Sequence, residues 1–197
     1  IVATLLLVFT AVGSLSIGVY DFEGKSAFEI LLKIIKGDSD LSLSHKYVVW
    51  DVRASRIVMA ILIGSLLAVS GTALQGLFKN PLATGEAIGL TSGATLLAAI
   101  AIVLGGYFKR YLPEIIQFSL TGISAFFGAL AAMLLVYRIS TNAGKTNVVM
   151  MLLSGVAITS IGFSITGFLI YISKDEQLRD LSFWNMGSLA GATWMKN

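Results

Sequence analysis

The sequence predicts an all-α, polytopic membrane protein, and three observations carry that prediction. Of the 197 residues, 56% are hydrophobic and only 13% are charged, whereas soluble domains approach about 25% charged. The mean hydropathy is +0.84. Five apolar stretches, residues 1–20, 57–78, 89–108, 115–136 and 147–172, contain no Asp, Glu, Lys, Arg or His. At 1.5 Å per helical residue, about 20 residues cross a hydrocarbon core of about 30 Å. Five spans are therefore expected within a single transmembrane domain over residues 1–197. The chain opens on Ile1 rather than Met and runs to Asn197; it reads as the N-terminal half of something longer.

Residues 1–20 form the first span, since a signal peptide would carry a charged leading region and a cleavage site before a soluble domain. Residues 21–52 make the longest polar connection. Within it Ser26 and Glu29 stand at capping-box spacing, and Phe28, Leu31, Leu32 and Ile35 recur at helical intervals before Gly37. That pattern predicts a short amphipathic helix, lying either on the membrane surface or against the protein's own face. His45, in a polar run, is expected to be an exposed loop residue.

The second span opens on Arg53 and Arg56 and closes at Lys79, Asn80 and Pro81, because proline cannot continue a helix and biases its predecessor away from one. Gly64, Ala68, Gly71 and Gly76 keep its surface thin enough for another helix to approach. Gln75 would lack a partner in lipid, so it is expected against another helix or a hydrated path. Gly89 and Gly93 open the third span at GxxxG spacing. Lys109, Arg110, Pro113 and Glu114 form a short turn before the fourth, and Arg138, Asn142, Gly144 and Lys145 mark the turn after it. The fifth span carries Ser154, Gly155, Thr159, Gly162, Ser164, Thr166 and Gly167, which suit tight packing, a substrate path, or both. Residues 174–194 then give a short interfacial helix and the start of a further span, with Leu178, Leu181, Phe183 and Trp184 as its apolar side.

Several function classes fall away. The chain has no cysteine and one histidine, which leaves no thiolate metal site, iron–sulfur cluster or His pair. A net charge of +3 without a dense basic run does not suit nucleic acid. No glycine-rich phosphate loop is present to hold ATP, and no nucleophile–base pair suggests enzymatic chemistry. The spans also lack the ionisable groups that ion-coupled carriers place near the midplane.

The ordered set Arg53, Arg56–Ile57, Ser70–Gly71, Gln75, Asn80–Pro81–Leu82–Ala83, Ile88–Gly89 and Gly93–Ala94 resembles the FecCD family of ABC-importer permeases, which carry iron–siderophore complexes, haem or cobalamin. Its pattern runs R-x-x-R-I, S-G-x-x-x-Q, N-P-L-A, L-G and G-A. Here Ala54–Ser55 stands where Leu-Pro is usual, Gly85 where proline is common, and Ile88 in place of leucine. A second family motif, W-x-x-G-S-L with a later Trp, matches Trp184, Gly187, Ser188, Leu189 and Trp194. Its G-S-L form looks more like the iron-chelate members than the cobalamin ones.

The resemblance implies a ten-helix permease subunit in the inner cell membrane, paired with a second permease subunit, two ATP-binding subunits and an external substrate-binding protein. ATP would be hydrolysed on the partner ATPase, with no cofactor on this chain. It implies that Arg53 and Arg56 dock acidic groups of the binding protein; interfacial anchoring is the plainer alternative. Gly64, Ser70, Gly71, Gln75, Asn80, Pro81, Gly89, Gly93, Ser154, Gly155, Thr159 and Gly162 would serve the path or its helix packing. Trp184, Gly187, Ser188 and Trp194 would form a periplasmic gate. Charge bias taken alone puts the side bearing 11 of the 14 Lys and Arg residues in the cytoplasm. The resemblance implies the reverse, with residues 21–52 external. An ion-coupled secondary transporter would instead show gradient-driven uptake, and a structural or assembly subunit would have no path at all.

Overall fold

The computed structural model describes residues 2–194 except 19, 21, 23, 25, 38–40, 109, 110 and 112, with backbone alone at 107, 108 and 114–118. Asp21, Lys109 and Arg110, which the sequence places in polar connections, lie outside the described residues. The chain divides into two compact units, residues 1–68 with 188–197, and residues 69–187.

In the first unit, α1 (Val2–Ser16) is shorter than the expected span. Helix α2 (Ala27–Ile35) starts where predicted: Ser26 accepts the Phe28 amide at its N-terminus, and Gly37 sits at φ +74° beyond its end. Ala27 and Ile30 are buried with Phe22 and Val49, and Leu31 and Ile34 pack against them. The helix thus lies on the protein's own face. The predicted apolar side is partly corrected, because Phe28, Leu32 and Ile35 stay exposed. The inward face follows Ala27, Ile30, Leu31 and Ile34, one position round the helix from the expected set.

Residues 43–78 form one continuous helical path: α3 (Leu43–Lys46), a π-helical stretch (Tyr47–Ala54) and α4 (Ser55–Phe78). The polar connection therefore ends earlier than residue 52, and Arg53 stands inside a helix rather than ahead of one. His45 is only 6% exposed, which corrects the expectation of an exposed loop residue. Tyr20 and Phe22 meet its ring edge-on, with centroids 5.9 and 5.6 Å away. No side chain of α4 between Ser55 and Phe78 is buried.

In the second unit, α4 ends at Phe78 and Lys79 takes φ +49°. The Asn80 side chain accepts the Leu82 amide at 2.9 Å and its carbonyl accepts the Ala83 amide, so Asn80 and Pro81 build the turn. Ala83 returns against Phe78, with Ile88, Val136 and Met151 completing a small core. A 3₁₀ turn (Gly85–Ile88) leads through Gly89 at φ +76° into α5 (Leu90–Phe108).

Helix α6 (Glu114–Ser140) runs through Arg138, which sits in its last turn where a cation suits the carbonyl end. The expected turn is thus shorter: a two-stranded hairpin, β1 (Thr141–Asn142) and β2 (Lys145–Thr146), closed by Ala143 and Gly144 at positive φ. Asn147 caps α7 (Val148–Ile172) through two amides, and α8 (Asp175–Met186) follows. Gln177 ties α8 to the Val103 carbonyl at 2.9 Å, and Leu181 is buried with Ala99, Val103 and Leu169. Among the described residues three helices are long and apolar enough to cross a membrane, and Val2–Ser16 and Leu90–Gly106 are shorter apolar helices.

Candidate functional site

The two arginines that look equivalent in sequence are placed differently. Arg53 is half-buried; its Nη1 donates to the Leu15 carbonyl at 2.5 Å, and its guanidinium carbon lies 4.8 Å from the Phe22 ring centre. Leu15 is in the last turn of α1, whose carbonyls lack helical partners, so a cation there is doubly favoured. Gly18 leaves the room: a Cβ at that position would collide with the Arg53 guanidinium. Arg56 is exposed and donates from Nη2 to the Ala190 carbonyl at 3.2 Å. Only Arg56 therefore presents its charge outward.

The head of α4 also holds the second motif's tail. Ser55 Oγ donates to the Asp51 carbonyl of its own helix at 2.5 Å and lies 3.2 Å from the Ala192 carbonyl, and Trp194 Nε1 donates to the Trp50 carbonyl at 3.0 Å. The Trp50 and Trp194 rings lie 4.9 Å apart, tilted by 33°. Ser188 accepts the Ala190 amide at 3.1 Å, shaping the intervening turn. Trp50 was not singled out by sequence, and Ser55 only as a departure from the family pattern; Ala192 and Trp194 lie about 140 residues on, and no local pattern announces such a pair.

On α4 itself, Gly64 lines an open groove of 460 Å³ with Leu7, Thr10, Ala11 and Ala60. Cβ atoms at Gly64, Gly71 or Gly76 would meet nothing within 4 Å. The close helix approach expected there is not made within the described residues. Ser70 and Gln75 are exposed.

Within the second unit the small residues pack. Gly93 of α5 faces Gly128 of α6 so closely that a Cβ on either would strike the other's carbonyl oxygen. Gly155 fits under the Ala87 carbonyl in the same way, and a Cβ at Gly89 would stand 3.2 Å from Ile158 Cγ2. Gly162 rests on Ser92, whose Cβ would be 3.2 Å away. Ser154 returns its hydroxyl to the Met150 carbonyl at 2.6 Å and is spent on its own helix. Gly128 is a packing glycine that sequence reading missed, because it has no glycine partner at GxxxG spacing on its own helix.

Thr159 differs from these. Its Oγ1 is buried with no hydrogen-bond partner among the described residues, and it lines a 180 Å³ cavity with Glu86, Thr91, Ser92 and Phe163. Trp184 lines a separate 400 Å³ cavity with Leu90, Thr95 and Asn185. Gly187, at φ +70°, ends α8.

Residues 5–197 match the model of the FecCD transport family. The chain is 36% identical over 191 residues to the hemin transport system permease protein of Yersinia pestis, covering 96% of this chain and 53% of that protein. It is 34% identical over 194 residues to the molybdate import system permease protein of Haemophilus influenzae, covering 98% and 54%. Against the cobalamin import system permease protein of Halobacterium salinarum it is 37% identical over 147 residues, covering 75% and 37%. A solved structure described as an inward-facing conformation of a metal-chelate type ABC transporter superposes with a TM-score of 0.74 at 31% identity, over 98% of this chain and 54% of that one. The chain thus spans about half the length, or less, of the relatives it matches.

Proposed function

The chain belongs to the FecCD transport family, and from that premise we propose that it is part of the permease of a binding-protein-dependent ABC importer for iron chelates, a ferric siderophore or haem. The observation that carries this is the match over residues 5–197, together with the 36% identity to a hemin permease. It is a transport subunit and not an enzyme. In this reading it pairs with a second permease subunit in the inner cell membrane and forms a path that opens to each side in turn. Two ATP-binding subunits drive it, and an external substrate-binding protein loads it. The absence of ionisable residues from the five apolar stretches supports energy supplied from outside this chain.

Docking of the binding protein is assigned to Arg56, with Arg53 contributing through the shape of the α1–α4 head. Arg56 is exposed while Arg53 is engaged inside the protein, and a guanidinium stays charged and grips carboxylates in pairs. Arg56→Glu in the full-length permease should weaken docking about tenfold or more at low salt and less at high salt, as expected for a charge reversal at a rim. Equal docking at all salt concentrations would remove the assignment.

A cobalamin reading has its own support in the 37% identity to the cobalamin permease. Uptake of ferric siderophore, haem, cobalamin and molybdate by the complete importer in vesicles separates the readings. Transport of an iron chelate alone is the expected result, and transport of cobalamin or molybdate alone would overturn the iron-chelate assignment.

A further inference from the structure

The turn before α5 is seated against the middle of α7, and it brings a carboxylate with it. Gly155 lies under the Ala87 carbonyl, Gly89 against Ile158, and Gly162 on Ser92. At 1.5 Å per residue, Thr159 stands about 17 Å from the start of the 25-residue α7, close to its midpoint. Glu86, a connecting residue in sequence, lines a 180 Å³ cavity with Thr91, Ser92, Thr159 and Phe163. Folding thus carries one ionisable group to the depth of the uncharged stretches. A charge at that depth is costly and is ordinarily paired. Among the described residues the Glu86 carboxylate has no cationic partner.

The side-chain polar atoms that line this cavity are all oxygens. Ser92 is only 1% exposed and donates its hydroxyl hydrogen to the Gly89 carbonyl at 3.0 Å, which leaves its lone pairs available. Thr159 Oγ1 is buried without a partner among the described residues, and Thr91 adds a third hydroxyl. Hydroxyl lone pairs beside a carboxylate suit a hard cation, which takes oxygen ligands. The amino end of α5 opposes a cation there with about half a positive charge. The full charge of Glu86 exceeds it, so the balance is negative. Calcium sites draw on several carboxylates, whereas one carboxylate matches a monovalent ion. The cavity has room for that ion and for waters that complete its shell.

We propose that Glu86, Thr91, Ser92 and Thr159 hold a sodium ion between the turn before α5 and the middle of α7. The ion neutralises Glu86 at depth and joins two segments that Gly155 and Gly162 already allow to meet closely. It stays with the chain and does not drive the cargo. The inference goes beyond the proposed function and does not depend on which cargo is carried.

The test is equilibrium binding of radioactive sodium to the full-length permease, assembled with its ATPase, in a buffer whose other cation is N-methylglucamine. Saturable binding is the expected result. Glu86→Gln removes the only full charge of the site and should weaken binding about tenfold or more. Glu176→Gln, at an exposed carboxylate on α8, should leave it unchanged. Thr159→Val should weaken binding severalfold, and Thr159→Ser, which keeps the hydroxyl, should restore most of it. Elution as a single symmetrical peak checks that each variant is folded, and the Thr159 pair decides the matter if Glu86→Gln is not. No saturable binding by the unmutated permease overturns the site and leaves the cavity to water alone. Binding unchanged by either Glu86→Gln or Thr159→Val overturns it as well, because the ion then sits elsewhere in the protein.

Discussion

Gly155→Ala isolates the tightest contact between α7 and the turn before α5. The added Cβ would stand 2.9 Å from the Ala87 carbonyl carbon and 3.0 Å from Ile88 Cα, with the Ala87 oxygen nearer still. Carbon atoms in good contact lie about 3.5–4.0 Å apart, so the two backbones must separate by more than about 0.5 Å. Both obstacles are main chain, which cannot swing away as a side-chain tip can. Overpacking of this kind costs about 1–3 kcal/mol, against a helix-propensity gain from Gly to Ala of up to about 1 kcal/mol. The net expectation is a loss of about 1–2 kcal/mol, or about 5–30-fold in the folded-to-unfolded ratio. Gly167→Ala, on the same helix with nothing within 4 Å of its Cβ, is the control and should gain a fraction of a kcal/mol. Reversible unfolding of the full-length permease in detergent, followed by circular dichroism, measures both. A Gly155→Ala protein as stable as the Gly167→Ala protein would refute the close-approach argument.

Four further substitutions follow from the same geometry. Arg53→Ala removes the tether to Leu15 and the contact with Phe22 and should cost about 1–2 kcal/mol in the same unfolding measurement. Gly18→Ala should lose stability as well by displacing the guanidinium, and the double variant should lose less than the sum of the two. Thr159→Val removes a buried hydroxyl without a partner among the described residues and should leave stability equal or higher by about 1 kcal/mol. If that hydroxyl faces the transported cargo, uptake falls while stability does not, whereas a clear loss of stability would show that the hydroxyl has a structural partner. Gly89→Ala forces an L-residue to φ +76° and should cost about 1–2 kcal/mol; an unaffected unfolding midpoint would contradict the left-handed turn.

The apolar helices were legible because long uncharged runs have few alternatives, and their ends were legible where chemistry stops a helix. Asn80–Pro81, Gly89 and Asn147 each mark a boundary within a residue or two of the observed one. The start of α4 was less legible. Trp50 and Asp51 look like loop residues, yet they continue a helix whose turns widen into a π-helical stretch. His45 was misjudged because its polar neighbours in sequence say nothing of Tyr20 and Phe22, which enclose it from elsewhere. The Arg53 and Arg56 pattern marked the head of α4 but could not separate the two side chains. That separation depends on the end of α1 and on the space left by Gly18. The Gly93–Gly128 contact was half legible, since spacing can nominate one glycine while only packing identifies its partner.

The proposal that this chain belongs to a permease driven by ATP on a partner subunit bears directly on how uptake is energised. Its most direct test is uptake of a ferric siderophore into vesicles holding the full-length permease with its ATPase and binding protein, energised either by ATP or by an ion gradient. The account predicts uptake with ATP that is abolished when the ATPase is inactivated and is indifferent to the gradient. Uptake that follows the gradient and persists without ATP hydrolysis would contradict it.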